Sequence, residues 1–246
     1  MRRKKRKSGS LPIYALVASQ PFSQVAEQYR KIRTSIEFSS VDKKIRSLVV
    51  TSPWSSEGKT TTASNLAVVF ANAGSRVALI DADMRKPMIA SAFRLSNAYG
   101  LSNYLAEGVD RSGSSDWGKQ AIYWSPKGTQ ISERLIASEI KNLYVLPSGP
   151  TPPNPAELLS SQRMQEVLHE LEEEFDMVII DTPPIVTVTD AQLLASYVDG
   201  TVLVVRERTT SKQRLSEAKS LLDQVQARVI GVIYNGKKQE RSSTYY

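Results

Sequence analysis

Short, unbroken apolar runs recur along the chain, at Leu48-Val49-Val50, Val77-Ala78-Leu79-Ile80 and Met177-Val178-Ile179-Ile180. Runs of this length without polar alternation predict strands covered on both faces. Between them the apolar positions switch to helical spacing. The pattern predicts strands at 47–51, 76–81, 143–146, 177–181, 201–206 and 229–233, and helices at 59–73, near 87–92, 155–174, 190–196 and 211–225. Alternation of this kind predicts an α/β protein, a mostly parallel sheet with helices on both faces.

Ahead of the first strand, residues 22–38 read as an amphipathic helix. At about 100° per residue, Val25, Tyr29, Ile32 and Ile36 fall within about 60° of one another, and Glu27, Arg30 and Arg33 form a separate stripe. One face docks and the other offers ions, with Glu27–Arg30 able to pair locally. Asn154-Pro155-Ala156-Glu157 reads as a helix start, with a capping Asn, Pro in the first turn and Glu three residues on. Residues 108–133, rich in Gly and Ser, read as a mobile loop. Residues 1–12 read as a disordered basic arm, 13–235 as a single domain, and 236–246 as a flexible tail ending in Tyr245 and Tyr246.

Composition narrows the chemistry. The 246 residues, 41% of them hydrophobic, suffice for one core. With no cysteine there is no disulfide, thiolate metal site or cysteine nucleophile. The apolar runs are far shorter than the roughly 20 residues that cross a bilayer. The net charge of +7 is local: Arg2 to Lys7 hold six of 32 basic residues, leaving 26 against 25 acidic ones. Such an arm suits an anionic membrane surface or nucleic acid, while the body is almost neutral. The only histidine, His169, sits mid-helix among glutamates and reads as solvent-facing, so proton handling falls to carboxylates.

The candidate site follows from three strand ends. After Leu48-Val49-Val50 comes Pro53-Trp54-Ser55-Ser56-Glu57-Gly58-Lys59-Thr60 and then a helix, the arrangement of a phosphate-cradling loop. Its backbone amides and the helix N-terminus attract phosphate, Lys59 adds a charge, and Thr60 supplies a hydroxyl for Mg²⁺. The second strand ends in Asp81-Ala82-Asp83-Met84-Arg85, and the third closes on Asp181 before Thr182-Pro183-Pro184. Ligands of open parallel sheets bind beyond the strands' carboxyl ends, so these residues are expected to share one crevice. Carboxylates beside a triphosphate need a divalent cation between them, which implies Mg·ATP or Mg·GTP.

Taken together, the loop at 53–60, Asp81-Ala82-Asp83-Met84-Arg85, the strand ending at Asp181, the Glu27-x-x-Arg30-x-x-Arg33 helix and the terminal tyrosines resemble the bacterial tyrosine kinases (BY-kinases) of capsular and exopolysaccharide systems, in their separate-chain form. The resemblance implies a P-loop NTPase fold of the deviant Walker A (MinD/ParA-like) group. Positioning ATPases of that group, nucleotide-dependent switches on membrane or DNA, are the alternative; they carry a lysine early in the loop, where Trp54 stands here.

On these residues the resemblance implies ATP and Mg²⁺ as cofactors. Ser55, Ser56, Glu57, Gly58, Lys59, Thr60 and Thr61 would cradle the phosphates, and Asn235 would meet the adenine. Thr60, Asp83 and Asp181 would hold Mg²⁺, Asp81 would accept or orient the tyrosine proton, and Lys59 and Arg85 would stabilise phosphate charge. Tyr245 and Tyr246 would be phosphoacceptors. Glu27, Arg30 and Arg33 would contact a neighbour in a ring-shaped homo-oligomer, so that 22–38 is an oligomerisation helix. The family further implies a transmembrane adaptor as activator, protein tyrosine substrates, a cognate tyrosine phosphatase, no nucleic acid, and a cytoplasmic place at the inner face of the plasma membrane.

Overall fold

The computed structural model describes residues 16–40, 44–107 and 130–236. The basic arm, the tyrosines of the tail and residues 108–129 lie outside the described residues. Seven strands form one sheet among the described residues: β1 (Ser47–Thr51), β2 (Val77–Asp81), β3 (Ile136–Ala137), β4 (Leu143–Leu146), β5 (Met177–Asp181), β6 (Gly200–Arg206) and β7 (Val229–Asn235). Their order is β3-β4-β2-β5-β1-β6-β7, parallel throughout except for the two-residue edge strand β3.

The unbroken apolar runs have their expected cause. Leu48, Val50, Val77, Leu79 and Ile179 face one layer of helices, and Val49, Ala78, Ile80, Val178 and Ile180 face the other. The first layer holds α1 (Leu16–Ser19), α2 (Gln24–Glu37) and α3 (Lys59–Asn72); α3 is buried almost all round, as its lack of a polar face requires. On α2, Val25, Tyr29, Ile32 and Ile36 pack against this core. The remaining helices among the described residues are α4 (Ile89–Ala92), α5 (Leu101–Ala106), α6 (Pro155–Leu159), α7 (Gln162–Glu174), α8 (Asp190–Ala195) and α9 (Lys212–Gln224). Helices α5 and α7 help to cover the second face, and α8 and α9 close a smaller cluster around Leu203.

Several expectations change. The single helix 155–174 is two, because Ser161 adopts an extended backbone and its Oγ accepts the Met164 N–H at 3.2 Å, starting a new helix. Asn154 precedes Pro155 as expected, but its side chain donates to the Glu157 carboxylate and caps no backbone amide. Helix α5 and strand β3 fall where no element was expected, and residues 131–134, overlapping the end of the irregular stretch, form a 3₁₀ turn. Strand β7 runs two residues further, so Asn235 ends the strand. His169 is solvent-facing, 3.5 Å from Glu173.

Candidate active site

Strands β2, β5 and β1 are neighbours, and their parallel registers place Asp81 opposite Asp181 and Asp181 opposite Val50, one residue before the end of β1. The loop after β1 is lashed to the loop after β5: Thr51 Oγ1 donates to the Pro183 carbonyl at 3.0 Å, and the Ile185 N–H donates to the Ser52 carbonyl at 2.9 Å. The phosphate loop and the carboxylates therefore share one rigid floor.

The loop enters α3 through Gly58, whose φ of 98° lies in the left-handed region. A Cβ there would fall 2.0 Å from Asn235 Nδ2, so glycine answers both conformation and space. Ser56, where glycine is common in such loops, also has a positive φ, 64°. No side chain caps α3, which leaves its first-turn amides to a ligand.

Lys59 is buried and acts as the cation of the site. Its Nζ lies 2.7 Å from Asp83 Oδ2, 3.7 Å from Asp181 Oδ1 and 3.3 Å from Thr60 Oγ1. Burial alone would lower its pKa; Asp181 and Asp83 outweigh that and raise it. Asp181 is fully buried and neither oxygen has a hydrogen-bond partner, although Thr60 and Lys59 are close enough to favour its charged form. Desolvation nonetheless pushes its carboxyl up to about 6. Asp83 Oδ1 accepts the Lys86 N–H at 3.0 Å.

Asp81 is turned inward. Its Oδ1 accepts the Asp83 N–H at 3.2 Å, and its Oδ2 accepts the N–H groups of Met88 and Ile89 at 3.1 and 3.0 Å. Desolvation, reinforced by Asp181, pushes it up to about 8. Arg85 Nε and Nη2 bind Asp190 at 3.0 and 3.1 Å; Asp190, in the first turn of α8, is wholly buried. Asp190 was not picked out from the sequence. Its signal is faint: a Thr-Asp pair opening a short helix, 105 residues from Arg85.

Of the remaining loop residues, Ser55 and Ser56 are exposed and Thr61 half-buried, while the Glu57 side chain is fully buried and turned away from the loop's ligand face. Asn235 Nδ2 donates to the Glu57 carbonyl at 3.1 Å. The α2 stripe divides. Glu27 and Arg30 pair at the surface at 2.8 Å, whereas Arg33 Nη1 reaches inward to the Val69 carbonyl at 3.3 Å.

The residues present suit a divalent cation. Asp83 and Asp181 meet one ammonium in a dehydrated site, and Asp181 has unsatisfied oxygens beside the Thr60 hydroxyl. No group of three or more His, Cys, Asp or Glu able to cage an ion occurs among the described residues. Two carboxylates and a hydroxyl fit Mg²⁺, which takes one or two carboxylates and completes its shell with phosphate and water.

A strand, a phosphate loop, a helix carrying Lys59 and Thr60, and carboxylates at two neighbouring strand ends define a P-loop NTPase, and the "AAA domain" family model matches residues 55–230. At the level of fold the chain is like the cell division ATPase MinD of Pyrococcus furiosus (TM-score 0.59, 19% identity, 76% of this chain and 70% of that one). Tyrosine-protein kinase YwqD of Bacillus subtilis is 45% identical over 94% of this chain and 89% of its own. The crystal structure of the chimerical protein CapA2B2 has a TM-score of 0.79 at 36% identity, covering 92% of this chain and 91% of that one. The kinase domain of Escherichia coli tyrosine kinase Etk has a TM-score of 0.81 at 29% identity, covering 100% and 88%. The chain belongs to the bacterial tyrosine kinases of capsular and exopolysaccharide biosynthesis; it is a protein-tyrosine kinase.

Proposed function

We propose that the protein is an ATP-dependent autokinase that phosphorylates Tyr245 and Tyr246 of neighbouring copies and so regulates capsular or exopolysaccharide synthesis and export. The observation that carries this reading is the fully buried Asp181 with both oxygens unsatisfied, facing Lys59 beneath an uncapped helix N-terminus. Lys59 supplies the positive charge between Asp83 and Asp181. With Mg·ATP bound, Lys59 would turn to the phosphates while Thr60, Asp83 and Asp181 hold the ion. Mg²⁺ when bound supplies charge neutralisation across the phosphates. The amides of Ser55 through Thr61 would cradle those phosphates, and Asn235 would face the adenine.

Transfer to a phenol is mainly positioning and charge stabilisation. Arg85, held by Asp190, presents a guanidinium beside the carboxylate cluster. Asp81 accepts or orients the phenol proton once the loop from Asp83 to Ile89 opens, because three amides occupy its oxygens in the closed arrangement. Glu27 and Arg30 contribute a head-to-tail contact that closes into a ring, with Arg33 beneath them bonded to α3, and each phosphotyrosine, with about −1.5 to −2 charge, weakens tail docking. A transmembrane adaptor recruits the chain to the inner membrane face and activates it; no helix among the described residues is long and apolar enough to span a membrane. Other protein tyrosines are further substrates, and a cognate phosphatase reverses the reaction.

The test is incubation with γ-labelled Mg·ATP, with and without the cytoplasmic segment of an adaptor. Label on tyrosine that disappears in Tyr245→Phe/Tyr246→Phe is expected. Phosphate release with no labelled protein would instead make the chain a positioning ATPase.

A further inference from the structure

The phosphate loop is held from outside. Arg206, at the end of β6, donates from Nη1 to the Ser56 carbonyl at 2.9 Å, and Asn235, at the end of β7, holds the next carbonyl. Glu57 is wholly buried, and both its oxygens are engaged: Oε2 accepts the Trp54 N–H at 2.8 Å, and Oε1 accepts the Thr210 hydroxyl proton. Thr210 Oγ1 in turn accepts the Arg206 N–H at 2.9 Å, which fixes the direction in which the hydroxyl donates. The Arg214 guanidinium, from α9, lies 4.6 Å from the centre of the Trp54 ring. Residues 54–57 are thus gripped at two carbonyls, one carboxylate and one indole by the end of β6, the turn that follows it, the first turn of α9 and the end of β7.

We infer that Glu57 and Thr210 are a positioning pair, and that with Arg206 they form a brace setting the shape of the phosphate loop from the β6–α9 turn. Ser56 needs such a brace: at φ 64° a non-glycine residue is strained, and the bond from Arg206 to its carbonyl holds that conformation. The Glu57 side chain accordingly serves the loop and not the nucleotide; only its backbone faces the ligand. The inference rests on the nucleotide-binding reading of this loop.

The test uses the full chain with Trp117→Phe and Trp124→Phe, leaving Trp54 as the emission probe on the loop. Binding of a fluorescent ATP analogue with Mg²⁺, steady-state KM and kcat for tyrosine labelling, and thermal stability are compared for Thr210→Val, Thr210→Ser and Arg206→Met. Removing the hydroxyl leaves a buried carboxylate oxygen unpaired, so Thr210→Val is expected to raise the analogue Kd and the ATP KM about tenfold, with kcat within about twofold. Thr210→Ser restores both, and Arg206→Met, at an exposed position that folding tolerates, raises KM in the same direction. The nucleotide-induced change in Trp54 emission shrinks in Thr210→Val and Arg206→Met. Unchanged Kd and emission in Arg206→Met and in any folded Thr210→Val, or a loss that Thr210→Ser does not restore, overturns the brace. A parent chain that binds no nucleotide overturns the loop reading with it.

Discussion

Lys59 Nζ sits 2.7 Å from Asp83 Oδ2, both side chains almost fully out of solvent. The pair is a charge balance in waiting: one ammonium serves Asp83 and the unsatisfied Asp181, and either a cation or protons must replace it when it leaves. Breaking a buried pair from one side typically costs about 3–5 kcal/mol, because the remaining charge is stranded. Lys59→Met is expected to abolish labelling and to lower metal-free stability by about 3 kcal/mol at pH 8, with a smaller loss at pH 5, where Asp181, pushed up to about 6, takes a proton. Urea unfolding at the two pH values checks this; an equal loss at both would mean that Lys59 does not balance these carboxylates.

Without metal, the parent chain should itself become less stable as pH rises. Desolvation lifts Asp181 to about 6 and Asp81 to about 8, both above the 3.8 of a free carboxyl. The folded state then holds more protons than the unfolded state, so the associated stability is complete below about pH 4 and is lost as pH climbs through those values. In EDTA, unfolding free energy falls from pH 5 to 8.5; Asp181→Asn removes part of the slope. Mg²⁺ with a non-hydrolysable ATP analogue flattens it, since bound charge replaces protons. A rise over this range in EDTA, unchanged by Asp181→Asn, would refute the assignment.

The parts of this site that were legible in sequence are those set by backbone position. Strands buried on both faces must be apolar throughout, so Val77–Ile80 and Met177–Ile180 announce themselves, and the next residue on each, Asp81 or Asp181, must lie at a strand end. Side-chain direction after the strand is a different matter. Glu57 belongs to the loop by spacing, but its partner Thr210 lies 153 residues away, and nothing local says that the carboxylate turns inward. Arg33 shares a helical stripe with Glu27 and Arg30, yet its long side chain reaches back to α3. The split at Ser161 was hidden because a serine among good helix formers takes the extended capping conformation only when tertiary packing favours the bend.

Asp190 holds Arg85 by two parallel bonds, the geometry that fixes a guanidinium in one plane. Asp190→Asn keeps the volume and loses the charge and one acceptor. Labelling is expected to fall about tenfold or more, the scale of one charged hydrogen bond, with ATP affinity little changed. If Asp190 acts through Arg85, the Arg85→Ala/Asp190→Asn double variant is no slower than Arg85→Ala alone. Additive losses in that cycle would mean that Asp190 serves the reaction by another route.

The division of the α2 stripe separates fold from assembly. Glu27 and Arg30 pair at the surface, and Arg30 also donates to the Pro21 carbonyl, so removing both strands no charge and should move stability by less than about 1 kcal/mol. Arg33 is largely covered, 22% exposed, and holds the Val69 carbonyl of α3 while lying 3.7 Å from Glu37. Arg33→Ala is expected to cost about 1 kcal/mol in urea unfolding, the usual worth of such a bond. If the exposed pair contacts a neighbouring copy, Glu27→Ala/Arg30→Ala lowers the mass seen by light scattering and slows labelling in trans, with little change in the unfolding midpoint. A double variant that keeps both its mass and its labelling would remove Glu27 and Arg30 from the interface and leave the helix a purely structural cover for α3.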